Sequence, residues 1–191
     1  MRLLKKLKEI NKSIYTVADI QKITGYSRNV CYVLLNRLIS RDELVRLKNG
    51  VYTLPEKLGD IELIANRLYF PSYLSLESAL SKYGVISQIP YQLNFVTTLK
   101  TKRIEIMNRT LSYHMIKAKY FDYYTRLDNG LFIAIKEKAL FDLIYFSSAG
   151  KYTFVKSYLN PDKIDMELFV EICKNLLSDR ELPGFLSWLE R

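Results

Sequence analysis

The sequence predicts an α+β fold in two parts: a small helical module closed by a β-hairpin, then a larger mixed α/β domain. Three observations predict it. Between Thr16 and Leu54, two helical segments meet at a glycine turn and lead into two short β-rich runs around Asn49-Gly50. The net charge of +9 is unevenly placed: residues 1–57 hold 12 Lys/Arg against 5 Asp/Glu, and residues 58–191 hold 17 against 15. After Pro90 the hydrophobic pattern changes from helical spacing to alternation, and it returns to helical spacing near Lys136. A chain of 191 residues suffices for one large domain or two small ones, and 49% hydrophobic content excludes wholesale disorder.

Taken in order, Leu3, Leu4, Leu7 and Ile10 recur at helical spacing between lysines, which predicts an amphipathic first helix packed on the helix-turn-helix beyond it. A basic amphipathic helix can also lie on a membrane surface. The segment is short, however, and an apolar core lies just downstream. Thr16-Val17-Ala18-Asp19 reads as a capping box, in which Thr16 and Asp19 satisfy each other's backbone donors. The helix it opens runs through Ile23, and Gly25 permits the tight turn after it. Ser27 is placed to cap a second helix reaching about Arg41. Leu44–Leu47 and Val51–Leu54 flank Asn49-Gly50, a strong local hairpin signal.

Two helices at a sharp turn followed by a basic hairpin make a winged helix-turn-helix, which sets one helix in the major groove of DNA and a wing on the backbone. On the second helix Cys31, Leu34, Leu35 and Leu38 share a face, with Cys31 expected in the core. At ~100° per residue the opposite side carries Arg28, Asn29, Tyr32, Val33, Asn36 and Arg37. Arginine and asparagine make paired hydrogen bonds to guanine and adenine, and an exposed Val or Tyr meets a thymine methyl or a phosphate. Ser27, Arg28 and Asn29 stand at the N-terminal end, where such helices meet base edges. Arg41 at the helix end, with Arg46 and Lys48 on the wing, are the expected phosphate contacts, and Lys5, Lys6 and Lys22 add to the same field. The partner is therefore double-stranded operator DNA, bound by a monomer or dimer, since no heptad seam of useful length decides the oligomer.

Pro55–Asp60 breaks the pattern and serves as the expected linker, with a domain boundary after Lys57. Helices are predicted over Ile61–Tyr69 and, capped by Ser75, over Leu76–Tyr83 up to Gly84. Strands are predicted over Leu93–Leu99, Ile104–Met107 and, after an Asn108-Arg109 turn, Leu111–Met115. Asn129-Gly130 precedes a strand over Leu131–Ile135, and Lys136–Phe146 reads as a buried helix. The tail reads as helical over Tyr152–Leu159 and Asp165–Leu177, then to Arg191 with an interruption at Pro183-Gly184.

Little in residues 58–191 points to catalysis. Glu77 sits in a helix first turn, where it stabilises the helix end. Glu137 and Asp142 are five apart and do not share a face well enough for paired acid–base work. Lys138 directly follows Glu137, which is not the acid-x-Lys spacing of many nucleases. His114 is the only histidine and has no nucleophile or ligand pattern beside it, so a hydrogen-bonded structural role is expected. The Lys100–Arg103 run suits contact with nucleic acid or an acidic partner surface, although a bare charge run is more often a solvated loop. Tyr120, Phe121, Tyr123 and Tyr124 form an aromatic cluster that either fills a core, the commoner use of such clusters, or makes an exposed protein-binding patch. No P-loop, dinucleotide fingerprint or Ser/Cys triad signature occurs, so no enzyme activity and no cofactor are expected. Cys31 and Cys173 form neither a disulfide framework nor a zinc pattern. With no apolar run long enough to span a bilayer and no leader pattern at the N-terminus, a cytoplasmic location is expected.

Several segments are recognisable together. They are Tyr73-Leu74-Ser75-Leu76-Glu77-Ser78-Ala79-Leu80 with Gly84-Val85-Ile86, Phe95-Val96-Thr97-Thr98 with Lys100-Thr101-Lys102, Leu111-Ser112-Tyr113-His114-Met115-Ile116-Lys117, and Glu137-Lys138-Ala139-Leu140-Phe141-Asp142. In this order, behind a winged helix ending in Gly50-Val51-Tyr52, they resemble the AbiEi family of antitoxins. The resemblance covers nearly the whole chain and is weakest at its end. It implies a type IV toxin–antitoxin system tied to abortive phage infection in bacteria. In that family the N-terminal domain binds repeats in its own promoter and represses the operon. The C-terminal domain counteracts a cognate nucleotidyltransferase toxin encoded beside it, without needing to bind that toxin stably. Some relatives serve only as transcriptional regulators, so a stand-alone regulator with a ligand-sensing or oligomerising C-terminal domain is the second reading. A nuclease guided by the winged helix is the third, and the sequence lacks the acidic metal-binding constellation it would need.

Overall fold

A computed structural model describes residues 2–190 of the chain. It divides into two compact units, residues 1–68 and 69–191. The division falls after Leu68 rather than after Lys57, so the expected linker and the helix beyond it group with the first unit.

The first unit opens with helix α1 (Arg2–Ile10), a two-residue strand β1 (Tyr15–Thr16), α2 (Val17–Thr24) and α3 (Arg28–Ile39). Strands β2 (Val45–Lys48) and β3 (Val51–Thr53) come next, then a 3-10 segment (Pro55–Asp60) and α4 (Ile61–Leu68). The α2 start is a complete capping box: Asp19 N–H donates to Thr16 Oγ1 at 3.2 Å and Thr16 N–H to Asp19 Oδ2 at 2.8 Å. Gly25 ends α2 at φ +74°, a left-handed conformation that costs glycine nothing. Ser27 occupies the N-cap of α3 but makes no side-chain cap bond, so its expected capping role is not realised. The hairpin pairs Val45 with Thr53 and Arg46 with Tyr52, and β1, which has too few residues to signal in the sequence, adds a third strand in the order β1-β3-β2. Leu7, Tyr15, Ile20, Cys31, Leu35 and Tyr52 are fully buried and form the heart of the core beneath these elements. Tyr15 carries its hydroxyl inward and donates it to the Leu7 carbonyl, closing α1 onto the sheet.

The second unit is built on a six-stranded mixed sheet. Its strands are β4 (Ser72–Leu74), β5 (Leu93–Thr97), β6 (Lys102–Ile106), β7 (Arg109–Met115), β8 (Tyr124–Arg126) and β9 (Phe132–Ala134), in the order β6-β7-β5-β4-β9-β8. Pairs β5–β7 and β4–β9 are parallel and the others antiparallel. The β6–β7 turn is Met107-Asn108, both at positive φ, one residue earlier than expected. Helices α5 (Leu76–Lys82), α6 (Lys136–Ser148), α7 (Met166–Leu176) and α8 (Leu182–Glu190) complete the unit, with α6 packed against α5, α7 and α8. Its central strands bury side chains on both faces, as in a sheet covered on two sides.

Two expectations for the tail are corrected. Tyr152–Leu159 is not a helix: it holds a single 3-10 turn (Lys156–Tyr158) and an isolated bridge from Leu159 to Ile86. Long-range bonds override its weak helical pattern. The Tyr152 hydroxyl donates to Glu77 at 2.6 Å and accepts from the Asn94 amide at 3.0 Å, and the Asn160 N–H bonds the Val85 carbonyl. Pro183-Gly184 does not interrupt the last helix but sits in its first turn, where proline lacks only an N–H the helix does not use.

Candidate nucleic-acid interface

The α3 segment from Ser27 to Arg41 contains Arg28, Arg37 and Arg41 and no carboxylate. Its buried side is Cys31, Leu35 and Leu38, while Leu34, expected on the same face, is only half-buried. Ser27, Arg28, Asn29, Val33, Asn36, Arg37 and Arg41 are exposed, and Tyr32 is half-buried. Val33 is 51% exposed and neighbouring Val30 45%, an apolar pair left uncovered on an otherwise polar face. Val30 is an addition to the face expected from the sequence, and it lies one turn before Val33 and two before Arg37 on the same side of the helix. Tyr26, in the turn before α3, is 53% exposed.

Arg28 is positioned. Its guanidinium donates to the Tyr32 hydroxyl at 3.4 Å and lies 5.8 Å from that ring's centroid, a cation–π placement one turn along the helix. These two side chains, with Thr16, Val17, Gln21 and Asn49, line a cleft of about 320 Å³ between the start of α2, α3 and the hairpin turn. The cleft therefore brings an arginine, the capped start of a helix and the wing tip to one place.

On the wing, Arg46 is exposed and stands 5.9 Å over the Tyr52 ring. Lys48 departs from expectation. It is half-buried, and its ammonium donates to the Leu68 carbonyl at 3.3 Å, so it is engaged within the unit rather than presented to a phosphate. Strand alternation would put Arg46 and Lys48 on one face. The register shifts between them, however: Arg46 pairs with Tyr52 and Lys48 with Val51, leaving Leu47 as the extra residue of a bulge that turns the two cations apart.

Three of the seven carboxylates in residues 1–68 sit in ion pairs on or near α1. Lys12 meets Asp19 at 2.8 Å, Lys8 meets Glu56 at 3.5 Å and Lys5 meets Glu9 at 4.0 Å. Burial works against the Asp19 charge, but hydrogen bonds from Lys12 and Thr16 outweigh it and lower its pKa to about 2. Lys5 is therefore partly neutralised by Glu9, and Lys6 donates to the Ile23 carbonyl at 3.4 Å, while Lys22 is exposed.

In the second unit the polar side chains that could have suggested chemistry are tied into structure. Lys138 and Asp142, one turn apart on α6, form a fully buried ion pair. Asp142 also accepts from Ser75 Oγ at 2.7 Å and Tyr73 Oη at 3.1 Å, and the Lys138 ammonium lies over the Tyr73 and Phe141 rings. Burial pushes the Asp142 pKa up and the Lys138 pKa down, against their mutual attraction. Ser75 thus gives its hydroxyl to Asp142 rather than to the N-terminus of α5. The i,i+4 spacing of Lys138 and Asp142 is legible in the sequence, although the carboxylates Glu137 and Asp142 are the more conspicuous pair there. Glu137 turns away from Asp142 and accepts from the Asp165 N–H at 3.1 Å. His114 bonds Asn94 Oδ1 at 3.2 Å, and burial lowers its pKa to about 4. The Lys100–Arg103 run is exposed, with Lys102 5.3 Å over the Tyr69 ring and Arg103 paired to Glu105 at 3.0 Å. The aromatic cluster divides: Tyr120 is buried, Phe121 and Tyr123 are half-buried and Tyr124 is 37% exposed. Among the described residues no helix is long and apolar enough to cross a membrane, and no group of His, Cys, Asp and Glu gathers as metal ligands do.

No family model and no curated protein matches the chain. Among solved structures it is similar to the RV2827C protein from Mycobacterium tuberculosis, at 16% sequence identity and a TM-score of 0.54, over 97% of this chain and 70% of that one. At that identity the likeness is one of fold: the same α+β architecture is shared with a chain of distant sequence.

Proposed function

We propose that the protein binds double-stranded DNA through α3 and the β2–β3 wing, and that it acts as an autorepressing antitoxin of the AbiEi kind. The observation that carries the DNA reading is the exposed, carboxylate-free face of α3, which presents Arg28, Asn29, Asn36 and Arg37 around an uncovered valine. Arginine and asparagine supply the paired donors and acceptors that base edges require, and the valine suits a thymine methyl. Arg41 and Arg46 meet phosphates on either side and set position rather than sequence. Repression is steric: a wing and helix seated on the operator exclude the polymerase. The antitoxin half of the reading rests on the ordered sequence segments that resemble AbiEi, with the second unit acting against a neighbouring nucleotidyltransferase toxin.

The test is a titration of the full chain against its own upstream DNA and against random duplex, at two salt concentrations. A specific complex that weakens as salt rises supports the reading, because phosphate contacts release counterions. Equal affinity for both duplexes removes the sequence-reading role of α3. Co-expression with the product of the adjacent gene in a growth assay tests the antitoxin half, and absence of rescue leaves the plain regulator.

A further inference from the structure

A second recess lies on the opposite flank of α3 from the wing. It measures about 480 Å³, and Leu3, Ile23 and Leu34 supply its apolar floor while Lys6, Arg37 and Arg41 stand around it. Leu34, Arg37 and Arg41 follow at spacings of three and four, so they form one ridge facing α1 and the end of α2. The Lys6 ammonium donates to the Ile23 carbonyl at 3.4 Å, which holds it across the recess and answers the negative end of α2. Among the described residues no carboxylate lines the recess.

We infer that this recess binds a small amphipathic anion, with an apolar body on Leu3, Ile23 and Leu34 and an oxyanion head among the three cations. The half-buried apolar floor gains by being covered with an apolar group, and three cations lining one recess that holds no carboxylate gain by accepting an anion. The volume falls within the ~300–1,000 Å³ of small-molecule sites. A docked protein would need a surface of about 800 Å² on each partner, far more than this recess offers. Because Arg37 and Arg41 are also assigned to DNA, an occupant would withdraw them from the duplex; that consequence alone rests on the DNA reading.

The experiment is calorimetric titration of the full chain with decanoate and, as an uncharged counterpart, decanol. Decanoate is expected to bind one-to-one, with decanol weaker by about tenfold or more. Leu34→Glu sets a carboxylate against the ligand and is expected to weaken decanoate by at least about tenfold. The paired variant Lys6→Gln/Arg41→Gln alters only exposed side chains and is expected to lose affinity while still unfolding in a single cooperative transition. Absence of decanoate binding, equal binding of decanol, or undiminished binding by the folded variants overturns the assignment. A gel shift separates the two readings. Decanoate binding by a chain that binds no duplex upholds the recess and counts against the DNA reading. Duplex binding without decanoate binding does the reverse.

Discussion

Arg46 and Lys48 stand two residues apart on one strand, yet only Arg46 is exposed. The bulge at Leu47 leaves Arg46 exposed over Tyr52 and turns Lys48 toward the Leu68 carbonyl. Each phosphate neutralised by a cation adds ~0.9 to the slope of log affinity against log salt concentration. Arg46→Ala is therefore expected to make that slope shallower by ~0.9, and to weaken specific and random duplex alike by roughly tenfold at low salt. Lys48→Ala is expected to leave the slope nearly unchanged. Its cost appears in folding instead, at ~1 kcal/mol for the lost hydrogen bond to the Leu68 carbonyl. Fluorescence anisotropy of a labelled operator, titrated from about 50 to 200 mM salt, reads the slopes, and urea unfolding reads the stability. If Lys48→Ala flattens the slope as much as Arg46→Ala, the division of roles made by the bulge is wrong. If neither changes it, the hairpin does not lie on the backbone.

Arg28→Ala is expected to relax sequence preference while leaving random-duplex affinity within about threefold, read by selection of bound sequences from a randomised pool. Asp142→Ala removes the acceptor shared by three buried donors, Lys138, Ser75 and Tyr73, and should destabilise the second unit by about 3–5 kcal/mol in urea unfolding; a loss below about 1 kcal/mol would mean that water replaces the carboxylate. His114 has a folded pKa of about 4, below its ordinary 6.5, so the unfolded chain binds the extra proton between those values. Stability should hold above pH ~6.5, fall by up to about 3 kcal/mol as pH drops to ~4 and then level, a fall that His114→Gln removes from melting curves taken across the range.

The parts of the fold legible in the sequence are those fixed by local chemistry. The Thr16–Asp19 capping box, Gly25, and the core stripe of Cys31, Leu35 and Leu38 each come from bonds or spacings within one or two helical turns. The buried helix α6 is equally legible from its largely apolar run. What local pattern does not reveal depends on partners far along the chain. Strands β1, β4 and β8 have two or three residues each, too few to establish a period, and exist because a neighbouring strand pairs with them. The segment from Tyr152 to Leu159 has helical spacing but loses its helix to bonds with Glu77, Asn94 and Ile86.

The candidate site repeats this division at the scale of single side chains. Helical spacing places Arg28, Asn29, Val33, Asn36 and Arg37 on the exposed face correctly, because a 3.6-residue period accumulates little error over the length of α3. Strand alternation fails within β2 at Lys48, because one inserted residue inverts every position after it. Charge counting adds a further error, since it weights all cations of residues 1–57 equally. Lysines on and just after α1 are partly spent on Glu9, Glu56 and Asp19, whereas the arginines of α3 have no carboxylate within their own segment. On the DNA reading proposed above, the field offered to a duplex is narrower than the net charge implies and is centred on α3, and the proposed anion recess draws on two of the same arginines, Arg37 and Arg41.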